Sequence, residues 1–220
     1  LGSPTVNGAV TTSATSVIEV RGNGAYNSAN GTITNGFTNN GAIELTSYDA
    51  GYSAQLTVTT GTLTNAAAGT ITAFVGALGA RTLAAELNNH GTIAVAAALT
   101  LTKASAAHVN SGIINVTGGT FTVTQSGTTP TFTNTGTIAV SAGRTFDVNA
   151  GTLDLSAGLV SGTTGTLNTS GVSSLLFSTA TVQPRLTLNS TTIPGTYTIP
   201  VGDSLVLVSG SPTMTLVNNG

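Results

Sequence analysis

The side chains able to do acid–base, nucleophilic or metal chemistry are few in this sequence, and their spacing decides against most of that chemistry. The carboxylates are Glu19, Glu44, Asp49, Glu86, Asp147, Asp154 and Asp203. Cleaving a sugar polymer needs at least two carboxylates converging on one bond, often beside a basic residue or Ca²⁺. When the chain is aligned on its recurring glycines, Glu44 falls over Thr72, Ala94, Asn115 and Ala139, and Asp147 over Thr100 and Thr122, so no acidic column is expected. His90 and His108 lie near two successive turns with Glu86 as the one further ligand nearby, too small a set for zinc. Both are expected as surface turn histidines. No cysteine is present, which removes thiol nucleophiles, thiolate metal sites and disulfides together. The expectation is a protein that is not an enzyme and needs no metal or cofactor.

Tyr26, Tyr48 and Tyr52 have the chemistry of a sugar-stacking platform, but with so few aromatics in the chain they are expected to pack against an irregular first coil. Thr57/Thr59, Thr100/Thr102 and Thr122/Thr124 resemble a water-ordering array. Asp147/Asn149 breaks it, and threonine is a good exposed strand residue in any case. Lys103 is expected as an exposed lysine at a strand end, where it discourages edge pairing.

These residues sit on a repeat. Asn-x-Gly-x-Ile-x-(Val/Leu) occurs at Asn39-Asn40-Gly41-Ala42-Ile43-Glu44-Leu45 and returns from Asn89, Asn110 and Asn134, with Gly91, Gly112 and Gly136 in the third position. The central copies are about 21 to 24 residues apart, the range in which self-similarity signals a stacked solenoid. Each coil reads as three short strands. The first is Gly-x-Ile-x-Val. The second alternates apolar residues with threonine, as in Leu56-Thr57-Val58-Thr59 and Leu99-Thr100-Leu101-Thr102, so its apolar members share one face. The third, such as Thr131-Phe132-Thr133, leads back to the asparagine. The fold class expected is all-β, a parallel β-helix of about seven coils. Ile43, Ile71, Ile93, Ile114 and Ile138 are expected to stack on one inner wall, and Val58, Leu101, Val123 and Val148 on another. Asn39, Asn89, Asn110 and Asn134 would superpose as an amide ladder, joined by Asn65 across the insertion Ala66-Ala67-Ala68.

Two stretches depart from the repeat. Phe74 to Leu87 is one, and within it Ala77 to Leu87 is rich in helix formers, so a short helix or a bulged coil is expected there. After Gly171 the repeat fades, and Tyr197-Thr198-Ile199, the turn Pro200-Val201-Gly202-Asp203 and Ser204 to Val208 read as an antiparallel hairpin. The expected division is an N-terminal arm over 1–15, the solenoid over 16–171, and a C-terminal hairpin cap or small β module over 172–220.

Charged residues make up 5% of the chain, against roughly 25% in an ordinary globular protein, and the net charge is −2. Arg21, Arg81, Lys103, Arg144 and Arg185 are scattered, which argues against nucleic acid and anionic membranes as partners. No apolar run approaches the roughly 18 residues of a membrane helix. The chain opens at Leu1 without the segments of a secretion signal, which is expected to have been removed.

At the Asn-x-Gly-x-Ile-x-Val copies and the Phe-Asp-Val and Leu-Thr-Val strands, residues 16 to 171 resemble the β-helical repeats of bacterial surface proteins, namely autotransporter passengers and filamentous-haemagglutinin-like adhesins. The resemblance implies export to the cell surface and a role as fibre, stalk or adhesin. The expected function is an extracellular structural subunit that assembles with copies of itself into a surface filament or sheath. The alternative is an adhesin that binds a glycan or a host surface, and polysaccharide degradation stands third.

Overall fold

The structure, a computed structural model, describes residues 3–49, 51–162, 164–177, 185–194, 196–199, 205–209 and 215–218. Within them the chain is all β, without a helix, and its parallel strands stack as a solenoid of about eight turns. Taken turn by turn, β1 (Thr5–Val6) precedes β2 (Val17–Gly22) and β3 (Ala29–Asn39). Then come β4 (Ala42–Ser47) with β5 (Ala54–Asn65), and β6 (Thr70–Ala73) with β7 (Arg81–Asn89). Three strands per turn follow: β8 (Thr92–Val95), β9 (Leu99–Ala104) and β10 (Ala107–Asn110), then β11 (Ile113–Val116), β12 (Phe121–Ser126) and β13 (Thr131–Asn134). The next turns hold β14 (Thr137–Val140), β15 (Thr145–Asn149) and β16 (Thr152–Leu155), then β17 (Leu159–Ser161), β18 (Thr166–Ser170) and β19 (Ser174–Phe177). Last are β20 (Arg185–Asn189), β21 (Thr196–Ile199), β22 (Leu205–Ser209) and β23 (Thr215–Asn218).

One wall of the rod is the sheet β17-β14-β11-β8-β6-β4-β2. A second sheet supplies the other two walls. In the first three turns a single long strand, β3, β5 or β7, crosses both of these walls. From the fourth turn a corner breaks it in two, so β7 pairs with β9 through its first half and with β10 through its second. That corner turns through a residue with positive φ, such as Ser105 (56°) or Ala150 (64°).

Period-2 alternation places the core. Ile43, Ile71, Ile93, Ile114 and Ile138 are strict register partners on successive strands, and all are fully buried. Each such side chain contributes about 1.5–3 kcal/mol of apolar burial, which only the neighbouring layer makes available. On the second wall the column is Leu56, Leu83, Leu101, Val123 and Val148. Val58 was expected in it but lies beyond it, because the pairing of β5 with β7 jumps from Thr57↔Ala84 to Thr62↔Glu86. Phe121 and Phe146 stack at 5.5 Å between centroids, and Phe132 tilts against Phe146 at 5.7 Å, filling the interior of the middle turns.

The recurring glycine has a steric reason. A Cβ on Gly91, Gly112 or Gly136 would run into the carbonyl oxygen of the glycine one layer below, Gly69, Gly91 or Gly112. Those carbonyls accept the first hydrogen bond of the next strand, as from Ile113 N to Gly91 O at 2.8 Å and Thr137 N to Gly112 O at 2.9 Å. The layers therefore approach at the corner to within the reach of bare backbone.

Two segments are settled against the expectations, and a third is described beside them. Phe74 to Leu87 holds no helix: residues 74–80 bulge outward as a loop, and Arg81–Asn89 is a strand with strict inward–outward alternation, because its inward members Leu83, Ala85 and Leu87 meet a core that outweighs helix propensity. The C-terminal runs do not form a hairpin. β22 joins β20 in parallel and β21 joins β23 in parallel, so the exposed edge of β20 has continued the stack. The turn Pro200-Val201-Gly202-Asp203 lies outside the described residues. In residues 3–16, β1 pairs with Thr32 and Ile33 of β3, and buried Thr12 lies at the asparagine corner, accepting from Asn40 N at 2.7 Å and donating to Thr38 O.

Candidate functional site

The asparagines named by the repeat form one buried column. Asn39 Nδ2 donates to Asn65 Oδ1 at 2.8 Å, Asn65 to Asn89 at 2.8 Å, Asn89 to Asn110 at 2.7 Å and Asn110 to Asn134 at 2.7 Å. The second amide hydrogen goes to the turn, for example from Asn65 to Gly69 O at 3.1 Å. Asn65 keeps its place because the longer turn through Ala66-Ala67-Ala68 delivers Gly69 to the position of Gly41 and Gly91. Leu155 follows Asn134 in the column and ends the ladder. These groups are structural: every amide proton is committed inside the protein.

The two histidines part company. His90 is exposed, with Nδ1 2.7 Å from Ser111 Oγ. His108, expected at the surface, is fully buried in the column of Leu87 and Phe132, where its ring packs 6.5 Å from that of Phe132. Its Nδ1 accepts from Leu87 N at 3.2 Å, so the proton sits on Nε2, which has no partner among the described residues. Burial lowers its pKa to about 4, against a small opposing effect of the Glu86 charge. Glu86 is no ligand of a shared site: it accepts from Thr62 Oγ1 at 2.7 Å and from Ala107 N at 3.3 Å. Lys103 is also not a free strand end. Its Nζ reaches Val58 O at 2.9 Å and Thr59 O at 2.6 Å, two turns down, capping carbonyls that the register jump in β5 leaves unpaired.

The surface feature that stands apart from the repeat is a ridge on one corner of the first three turns. Residues 23–28, 48–49 with 51–53, and 74–80 occupy the corner that later turns cross with three or four residues; Gly24 N donates to Asp49 Oδ2 at 2.8 Å, and Ala77 N to the carbonyl of Ser47, the last residue of β4, at 2.7 Å. Arg81 shapes the third loop from inside. Its guanidinium, 1% exposed, donates to the carbonyls of Phe74, Gly79, Val75 and Ala77 at 2.9–3.1 Å, and burial without a carboxylate lowers its pKa. An ammonium cannot span four carbonyls. Arg81→Lys is therefore expected to cost about 2 kcal/mol in urea denaturation, with faster amide exchange confined to 74–80; uniform acceleration across the chain would contradict this placement.

The loop so held presents Phe74, Val75 and Leu78 to solvent, beside exposed Tyr26 and Tyr48. Tyr48 donates to Glu19 Oε1 at 3.1 Å and lies under the Arg21 guanidinium, 4.6 Å from ring centroid to Cζ, while Arg21 approaches Glu19 Oε2 at 3.7 Å. Tyr48 thus works as a surface residue and not as packing for an irregular coil. Sequence reasoning missed that Glu19 is the register partner of Glu44, which makes a carboxylate pair on adjacent strands. The signal was available: Val17-Ile18-Glu19-Val20 repeats Ala42-Ile43-Glu44-Leu45 without its leading Asn-x-Gly. No family model matches the chain, and no curated protein and no solved structure is significantly similar to it.

Proposed function

We propose that the chain is an extracellular structural protein, a rod that assembles with copies of itself through its ends into a surface filament or sheath. The observation that supports this reading is the open lower end of the stack: beyond the short pairing of β1 with β3, β2 pairs only with β4 among the described residues, leaving its other edge unpaired. An open strand edge is a template for another strand. The sparsely charged, threonine-rich walls oppose close packing of neighbouring rods very little. Purified protein is expected to elute above monomer mass in a concentration-dependent way and to show rods of constant width by electron microscopy. Monomers at millimolar concentration with no rods would refute the assembly.

The second reading, an adhesin, is favoured by the exposed aromatic ridge on the first three turns. Binding on a glycan array that is lost on substituting Tyr48 and Tyr52 would support it over the filament.

A further inference from the structure

Between Tyr48 and Phe74 the outer face of the first wall carries a groove of about 260 Å³ lined by Glu19, Glu44, Thr46, Tyr48, Phe74 and Gly76. Its floor is the Glu19–Glu44 pair, one strand spacing apart, and its walls are rings from two successive corner loops. Glu19 is engaged by Tyr48 and Arg21. Glu44 makes no hydrogen bond or ion pair among the described residues, and Thr46, although 5% exposed, lines the groove with its hydroxyl likewise unpartnered.

The chemistry of this set is one-sided. Glu44 only accepts hydrogen bonds, and the Thr46 hydroxyl is the single side-chain donor left free; Arg21 is not among the lining residues. An anion meets two carboxylates, and a sugar, whose hydroxyls must both give and receive, finds one donor. A guanidinium or ammonium group gives hydrogen bonds only, carries the opposite charge and is attracted to aromatic faces. One layer down, the protein already satisfies this chemistry with its own Arg21, set over Tyr48 and against Glu19.

We propose that this groove binds an organic cation, the guanidinium or ammonium group of an arginine, a lysine or a polyamine, with Glu44 as counter-ion, Thr46 as acceptor and the two rings as walls. The site goes beyond the fibre reading and stands or falls independently of it. Titrating the full chain with arginine amide, spermidine and an Arg-Gly repeat peptide, followed by ¹H–¹⁵N NMR, is expected to move the resonances of Glu44, Thr46, Tyr48 and Phe74. Glu44→Gln and Phe74→Ala should each weaken binding, the former by about tenfold or more, whereas Asp154→Asn should not. Added salt should weaken it too. Equal affinity for the small amines and the peptide places the source in free amines; much tighter peptide binding places it in a polypeptide. Unchanged binding in both groove variants, shifts elsewhere on the rod, or stronger binding of methyl glucoside than of arginine amide would overturn the proposal.

Discussion

Between pH 6.5 and pH 4 the protein is expected to lose about 3 kcal/mol of stability through one side chain, His108, beyond the background of its carboxylates. The folded-state pKa is about 4, below the 6.5 of an unperturbed histidine. As pH falls through that window the unfolded chain takes the proton and the folded chain does not, so the equilibrium moves toward unfolding. Above pH 6.5 both states are neutral and the contribution is present in full. Below pH 4 both are charged and no further loss follows from this group. His108→Leu removes the titration while matching Leu87, its neighbour in the column; it loses the hydrogen bond that Leu87 N donates to the ring but also removes the buried Nε2 proton that has no partner among the described residues, two effects of opposite sign. Urea midpoints at pH 7, 5.5 and 4 test this: the variant should fall behind the natural protein little or not at all at pH 7 and exceed it at pH 4. Parallel pH profiles for the two proteins would mean that the ring stays neutral in both states or protonates in place.

The second large effect concerns the amide ladder. Asn110→Leu strands two buried groups at once, the Asn89 Nδ2 proton that pointed at Asn110 and the Asn134 oxygen that Asn110 supplied. At about 1–3 kcal/mol per stranded group, the loss should reach about 3–5 kcal/mol. Both substitutions also lose bonds to turn carbonyls, but within the ladder Asn134→Leu strands one group, the Asn110 proton, since fully buried Leu155 already follows it, and should cost about half as much. Equal costs in chemical denaturation, or a central substitution below about 1 kcal/mol, would show that the amides stack without holding the turns.

What was readable in the sequence was whatever recurred. The isoleucine column and the asparagine corner return with the same neighbours in several copies, so local patterning and packing agree there. Asn65 was readable through its insertion for the same reason. His108 was misplaced because a polar residue near a turn was read as exposed, although counting back from the ladder corrects it. His108 stands two residues before Asn110, as Leu87 stands before Asn89 and Phe132 before Asn134, and that position is inward. Arg81 to Leu87 was ambiguous because alanine, leucine and glutamate favour helix locally; only the edge of β5 beneath them decides for strand. The ridge was illegible for a different reason: its loops belong to no repeat, and which side chains they bring together depends on contacts between turns, such as Arg81 reaching back to four carbonyls.

Every rung of the amide ladder donates in the same sense, from Asn39 toward Asn134, and the strand pairs that hold the turns together are parallel throughout. The rod is therefore vectorial, with a head that differs from its tail in chemistry as well as in shape. Two copies joined by like ends would have to pair their edge strands antiparallel, whereas joining the lower end of one copy to the upper end of the next continues the parallel ladder. A fibre that continues the parallel ladder would carry an arrow, and tags placed on Leu78 should recur at one fixed axial interval, once per subunit.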